Sequence, residues 1–505
     1  MDRSCVNGAV GRSLGVPGGM LRVPQGIPVT LLLLLLFSAV WLAHLDSVAL
    51  TPPADNIEQL TWMRSLEWGY YKHPPVPTWV LWAAVQLIGW SAWTTYLLGA
   101  LLTLASLAIF ASLLRDIHGR AYALVGLMAA LGVTFYNGRL NYYNHNVVLM
   151  FWVALSAWLW WRILTRPRWG WWLALGVVGG LGMLSKYQYA VAATGGLWLF
   201  VRHGLWRDRQ QCQGLALAVV VGGVIFMPHV VWLLEQARGP IAYAMHSSLG
   251  ADLPLLRRLS ATALWLLDWL FNRCLPAVLL LLGVHWAQRG LAPVPLESSA
   301  DRALQARGNS LLLCWGVLPP AFMAAMGVLG GVDLQLQWGT AFALWTVPVL
   351  MAALGVREAT LRAGRGLCWA VGALVLLQAV LVWQSYDTSV FGRHRTQVGH
   401  WREFPSEALA QAVAGPARQA LGGPIKIISG PASPAGALAL RLPEKPRVLI
   451  DGDLAVSPWI SAQDMERDGV LELWPPGAGP SDVHRVMDGW GWRVREGDGV
   501  GSDFF

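Results

Sequence analysis

Apolar residues in this chain run in long blocks, not in one-sided helical stripes or strand alternation. A helix that crosses hydrocarbon needs about 20 such residues in succession. The first block extends over 27–50 and contains the unbroken stretch Leu31 to Leu36. It reads as a spanning helix, not a cleaved signal peptide, because the Arg-bearing segment before it is long and no clean small-x-small site follows closely. Further blocks predict spans over 94–114, 121–137, 146–164, 169–185, 188–202, 213–234, 270–288, 310–330, 339–356 and 366–385, about eleven in all with soft ends. The apolar segment 76–90 is short and follows His73-Pro74-Pro75, which predicts an interfacial helix. From about 387 onward the pattern changes. Strand-like runs at 425–428 and 448–450 flank a helix-like stretch at 435–442, the alternation of a small α/β domain. The tail after Trp490 is rich in Gly and Asp and is expected to be loose. The chain therefore divides into an N-terminal segment 1–26, a membrane domain 27–386 whose outer loop covers 51–93, and a C-terminal domain 387–505.

Composition sharpens this picture. The 505 residues are 55% hydrophobic and only 13% charged, with a mean hydropathy of +0.46, whereas soluble domains carry about 25% charged residues. A purely soluble protein and a disordered one are both excluded. The net charge of +8 is no nucleic-acid footprint, since most arginines sit in short runs between apolar blocks. With the N-terminus inside, the inner loops hold the larger share of them, as the positive-inside trend requires, and an odd number of spans puts the C-terminal domain outside. Many of the 30 Trp residues flank span ends, where an apolar ring and a wet N–H are both satisfied. The five cysteines form no CxxC and no disulfide framework. Phosphate-loop, dinucleotide-loop and zinc-ligand spacings are absent, which argues against ATP-driven transport by this chain alone.

The outer side carries the candidate chemistry. Its first loop holds Asp55 and Glu58, then Tyr70-Tyr71-Lys72-His73-Pro74-Pro75. Acids three apart share one face of a helical turn and suit general-base work or a metal; the competing reading is a capping box at a helix start. The lysines favour the chemical reading. Only Lys72, Lys186, Lys426 and Lys445 occur, every inner loop uses Arg, and both membrane-region lysines fall outside. Lys186 sits between two apolar runs, where an unpaired cation costs about 2.5–3.5 kcal/mol, and a lipid phosphate is a natural partner. Snorkelling would explain either lysine singly. A further loop reads Tyr136-Asn137-Gly138-Arg139-Leu140-Asn141-Tyr142-Tyr143-Asn144-His145-Asn146, with amides and rings that can hold sugars and an Arg that can hold phosphate. Asp268 and Arg273 are expected to pair with each other, and His229 to be a packed, hydrogen-bonded histidine.

The order Asp55…Glu58, Tyr71-Lys72-His73-Pro74-Pro75, Gly138-Arg139-Leu140 and Gly182-Met183-Leu184-Ser185-Lys186 resembles glycosyltransferase family 39. This GT-C family is related to protein mannosyltransferases and bacterial lipid A aminoarabinose transferases. The resemblance covers 27–235 well and the later spans by topology. It implies an all-α polytopic GT-C-like fold in a bacterial inner membrane, with a cytoplasmic N-terminus and a periplasmic C-terminal α/β domain. It also implies a polyprenyl-phosphate-linked sugar donor, an inverting transfer, and an acceptor lipid, glycan or protein. On these matches Asp55 is the catalytic acidic residue with Glu58 beside it, and Lys72, Arg139 and Lys186 grip the donor phosphate. Tyr71, His73, Tyr142, Asn144, His145 and Tyr187 line the substrate. Two departures stand out: Asn56 follows Asp55 where many members have Asp-Glu, and the late loop Asp333 to Trp338 has no basic residue.

The chemistry can be stated without the family. A lipid phosphate is already a good leaving group, so a carboxylate must deprotonate the acceptor, worth about 10²–10⁴-fold, and fixed cations must neutralise the departing phosphate. No cofactor is expected. A divalent metal at Asp55 and Glu58 is chemically admissible but disfavoured by the neighbouring lysine. The alternatives are a transporter or flippase of a lipid-linked or amphiphilic solute, which predicts internal repeats and midplane charges, and a membrane-anchored scaffold.

Overall fold

The computed structural model describes residues 29–236, 239–249, 253–290, 299–361, 364–386 and 401–495. Cys5 and the 1–26 segment lie outside the described residues, as does the end of the tail from 496. The membrane part comprises α1 (Val29–Ser47), α2 (Ala54–Trp62), α3 (Val76–Ile88), α4 (Ala92–His118), α5 (Arg120–Leu131), α6 (His145–Thr165), α7 (Trp169–Met183), α8 (Tyr189–Arg202) and α9 (Arg209–Glu235). It continues with α10 (Pro240–Ala244), α11 (Leu255–Leu267), α12 (Leu275–Ala287), α13 (Ser299–Gly330), α14 (Thr346–Ala353), α15 (Glu358–Leu361) and α16 (Arg365–Tyr386). Among the described residues six helices are long and apolar enough to cross a membrane, or seven if the bent pair Leu255–Arg273 and Leu275–Ala287 counts as one.

Several expected spans are therefore shorter or broken. The block 121–137 stops as a helix at Leu131; Gly132 follows, and a Cβ there would lie 3.0 Å from the backbone nitrogen of Ala277. The block 270–288 bends by 56° at Cys274, beside Pro276 in the first turn of α12. The block 339–356 is an α-helix only from Thr346 to Ala353, preceded by a 3-10 turn at Ala343–Trp345. The segment 76–90 forms α3 as a 13-residue helix with proline in its first turn.

Packing follows residue size and solvent. Gly176 and Gly180 of α7 face α9 so closely that an added Cβ would fall 2.7 Å from the Ala218 carbonyl oxygen or from Ile225. Small residues let two membrane helices touch in this way. Helices α4, α5 and α6 carry the largest share of the fully buried apolar side chains, among them Leu107, Phe110, Val125, Leu127 and Leu149. Outward-facing Leu87, Leu234 and Leu329 are at least 80% exposed, an apolar exterior that suits lipid.

The C-terminal part is a small α/β unit with α17 (Ser406–Ala420), β1 (Ile427–Gly430), α18 (Ala432–Arg441), β2 (Arg447–Ile450), α19 (Ala462–Asp468), β3 (Val470–Trp474), β4 (His484–Arg485) and β5 (Gly491–Arg495). The sheet order is β2-β1-β3-β5-β4, with β1 parallel to β2 and β3, and β5 antiparallel to β3. The residues just after Trp490 are thus a paired strand, correcting the loose-tail expectation: Leu473 pairs with Trp492 and Leu471 with Val494, apolar residues that the tail's Gly and Asp content obscured.

This unit is seated on the membrane part. Thr51 Oγ1 donates to the Phe404 carbonyl (2.7 Å), Arg441 Nη2 to Leu50 O (2.6 Å) and Arg64 Nη2 to Lys445 O (2.8 Å). Helix α18 lies on α2, where Gly436 leaves room for Ile57: a Cβ at 436 would sit 2.3 Å from Ile57 Cγ2. Trp62 and Tyr70, stacked at 5.2 Å, belong to the same buried cluster as Ile427, Leu438, Val448 and Ile450.

Candidate functional site

Helix α2 begins after Pro52-Pro53, and Pro53 occupies the cap position with no side-chain cap bond. The capping-box reading of Asp55 and Glu58 is therefore not realised. Asp55 lies in the first turn, where the helix dipole favours a carboxylate. It is exposed, while Glu58, one turn on, is buried.

Two asparagines hold this helix against the 132–144 loop. Asn56 is fully buried. Its amide donates to Thr95 Oγ1 (2.8 Å) and to the Asn141 carbonyl (2.7 Å), and its Oδ1 accepts the Tyr143 N–H (2.8 Å). An ionised carboxylate accepts only, so the departure from Asp-Glu has a physical reason: this position must donate. Asn144 caps α6, its Oδ1 accepting from the backbone of Asn146 (3.0 Å) and Val147 (3.1 Å), and its amide donates to Asp55 Oδ2 at 2.8 Å. Among the described residues Asp55 Oδ1 has no hydrogen bond and remains available.

Glu58 points to the Tyr71-Lys72 turn. Lys72 Nζ donates to Glu58 Oε1 at 2.6 Å and the Tyr71 hydroxyl to the same oxygen at 3.0 Å. Burial pushes the Glu58 carboxyl up, with Lys72 pulling it back. Burial also opposes charge on Lys72, yet Glu58 wins and holds the ammonium above its usual value. The ammonium lies 5.1 Å from the Tyr71 ring centre and 5.5 Å from that of Tyr243, within cation–π range.

Lys186 follows the turn after α7. That turn is pinned: Leu184 O accepts Val76 N–H (3.0 Å), and Ser185 Oγ accepts Trp152 Nε1–H (2.9 Å). Lys186 Nζ donates to Asn146 Oδ1 at 2.5 Å and lies 5.7 Å from the Trp338 ring centre. Burial lowers its pKa to about 7, with the field of Asp55 working against that. Asp55 acts on Lys72 as well. Asp55, Glu58, Lys72 and Lys186 thus share one electrostatic site at the end of the bundle covered by the C-terminal unit.

Other expected residues are placed differently. His73 and His145 lie tilted against each other with ring centres 3.8 Å apart, and Gln59, itself bonded to Thr78, reaches the His145 ring at 3.4 Å. Burial and then the two lysines push His73 well below its usual value, so it is neutral. Tyr187 bonds His229 Nε2 (2.7 Å), whose Nδ1 meets the Trp68 carbonyl (2.5 Å). That carbonyl can only accept, so Nδ1 carries a hydrogen and His229 is the packed, hydrogen-bonded histidine expected. Asp268 and Arg273 pair at 2.9 Å. Arg139 is apart: its guanidinium lies over the Phe135 (5.9 Å) and Tyr142 (5.4 Å) rings, acts on Arg402, and is tied by no described hydrogen bond or ion pair to the lysine site. Asn146, Tyr243, Trp338 and Asp451 were not among the expected site residues, and Asn56 stood out there only as a departure. Asn56, beside Asp55, and Asn146, beside a selected histidine, carried a local signal. Among the described residues no group of three or more His, Cys, Asp and Glu side chains could hold a metal.

The chain is similar to several known proteins. Residues 72–232 match the family model described as dolichyl-phosphate-mannose-protein mannosyltransferase. The lipopolysaccharide core galacturonosyltransferase RgtA of Rhizobium johnstonii is 29% identical over 204 residues, covering 39% of this chain and 39% of that protein. The lipid A galacturonosyltransferase RgtD of the same organism is 25% identical over 206 residues, covering 39% of this chain and 43% of the relative. The chain thus spans about two fifths of the length of the curated relatives it matches. ArnT from Cupriavidus metallidurans, solved bound to undecaprenyl phosphate, superposes with a TM-score of 0.54 over 94% of this chain and 98% of that one, at 15% identity. That likeness is one of fold.

Proposed function

We propose that the chain is a GT-C, family 39-like membrane protein that transfers a sugar from a polyprenyl-phosphate donor to a lipid, glycan or protein acceptor at the periplasmic face. In this reading Asp55 Oδ1 takes the proton from an acceptor hydroxyl or amine. The acceptor atom then bonds to the anomeric carbon as the bond from that carbon to the phosphate oxygen breaks, with inversion. The polyprenyl phosphate leaves with its charge met by Lys72 and Lys186. Asn144 orients Asp55, and Glu58 with Tyr71 fixes Lys72. The carrying observation is an amide-oriented aspartate with one free oxygen, acting on two cations of different loops. Such fixed charges need no reorganisation when the phosphate departs.

The test is transfer in proteoliposomes supplied with polyprenyl-phosphate sugars. Asp55→Asn should lower turnover by about 10²–10⁴-fold while leaving donor binding in place. Unchanged transfer would remove Asp55 from the role of base. Mass spectrometry of envelope glycolipids and glycans with and without the gene identifies the sugar and the acceptor.

A further inference from the structure

Trp90 marks the rim of the membrane part. It stands between α3, which ends at Ile88, and the 27-residue helix α4, which starts at Ala92. The turn is fixed. Ser91 Oγ accepts the Thr94 N–H at 3.2 Å, and the Thr94 hydroxyl donates to Gly89 O at 2.6 Å. Gly89 takes a φ of 89°, which a side chain would strain. Around the turn Leu87, Ile88 and Trp93 are exposed. Such a turn belongs where hydrocarbon gives way to headgroups, the depth that tryptophan favours.

Two cations meet at that ring, one from each unit. The Arg64 guanidinium lies 4.9 Å from the Trp90 ring centre and Lys445 Nζ 5.6 Å from it, both within cation–π range. Arg64 Nη2 also donates to the Lys445 backbone carbonyl at 2.8 Å, a bond that holds whatever side chain stands at 445. Among the described residues neither cation has an acidic partner. The acids nearest in sequence are engaged elsewhere, Glu67 with the Ser65 hydroxyl and Glu444 with Arg418 at 2.6 Å. Burial, and then Arg447, push Arg64 below its usual value, as expected where like charges gather without a counter-charge. The Trp90 indole N–H is buried and, among the described residues, donates to nothing. The cavity between the units, lined by Ile57, Thr61, Arg64, Trp90 and Pro446 among others, measures about 10 Å³, scarcely room for one water. Anything larger binds at the open edge, where Lys445 is exposed.

We propose that Arg64, Trp90 and Lys445 bind the phosphate headgroup of an anionic phospholipid in the adjoining leaflet, and so fasten the C-terminal unit to the membrane surface. A phosphodiester supplies the charge that the two cations lack, and the arginine fork matches its oxygens. The unpartnered indole N–H is a third donor, direct or through one water. The exposed apolar residues at the end of α3 and the start of α4 give the acyl chains a surface to lie against. A phosphatidylcholine headgroup fits less well, because its own ammonium faces the same two cations. No described hydrogen bond or ion pair joins Arg64 or Lys445 to Lys72 or Lys186, and the proposal does not depend on the transfer reading.

The experiment uses the full chain in detergent micelles with phosphatidylglycerol as the probe, against phosphatidylcholine and inorganic phosphate. Native mass spectrometry reads the retained lipid, and a melt reads the unfolding temperature. Phosphatidylglycerol should be retained in preference to phosphatidylcholine and raise the unfolding temperature, less so as salt is added. Lys445→Gln leaves the Arg64 bond to the 445 carbonyl in place and should weaken phosphatidylglycerol retention by about three- to tenfold; Lys445→Arg should restore it. Lys445→Glu gives Arg64 an internal partner and should abolish the preference without lowering the unfolding temperature in lipid-free micelles. Lys72→Gln separates this site from the donor site: the preference should survive it, while Lys445→Gln should leave undecaprenyl phosphate binding unchanged. Equal retention of phosphatidylglycerol by wild type and Lys445→Gln, or loss of the preference in Lys72→Gln, overturns the proposal. So does equal stabilisation by inorganic phosphate, which would mark a site for free anions.

Discussion

Asn56 and Lys186 show how much of the site depends on hydrogen-bond polarity and on where a charge is kept. Asn56→Asp places an acceptor against the Asn141 carbonyl and should cost about 1–3 kcal/mol of stability, read as a lower unfolding temperature in detergent, while Asn56→Gln tests the length of the amide. Lys186 titrates at about 7, so its ammonium is full below that pH and fades above it. Affinity for undecaprenyl phosphate should therefore be highest below pH 7 and decline as pH rises through 7 to 8. Lys186→Arg should flatten this profile, because a guanidinium stays charged. A decline that persists in Lys186→Arg would assign the titration elsewhere. Asp55, Glu58, Lys72 and Lys186 were legible in the sequence because each breaks a local habit: acids in an apolar chain, and lysines where the inner loops use only arginine. Asn144 was named only as lining and Asn56 only as a departure; their bonding was not legible, since it lies in partners 85 to 89 residues away, and single-chain spacing does not carry that information.

At the scale of elements, α2 is the piece on which everything converges. It is nine residues long, too short to be stable alone in water, and is held between the bundle and α18. Its Ile57 fills the space left by Gly436. Gly436→Ala should overpack this contact by about 1–3 kcal/mol and lower both thermal stability and transfer. Combining it with Ile57→Ala, which removes the opposing methyl, should recover part of the loss; a strictly additive double variant would show that the two positions do not meet. The helices themselves were read well where long apolar blocks decide them, as in α1, α4, α6 and α9. The reading failed where a tertiary contact ends a helix early, as at Gly132, or bends it, as at Cys274. Periodicity reports what a segment can bury and is silent about what stops it.

Across the whole molecule, the sequence announced two regions by composition but gave no sign that they share a hydrophobic core. Trp62 and Tyr70 look like interfacial aromatics in the chain, yet they are packed among the strands of a unit that begins more than three hundred residues later. This has a consequence for biogenesis. The loop after α1 emerges early in synthesis with its stacked ring pair uncovered, and at roughly 5–20 residues per second the strands that will cap it arrive only after tens of seconds. During that interval the half-made protein presents a sticky aromatic surface, and this core is complete only when a segment made more than three hundred residues later closes over the loop.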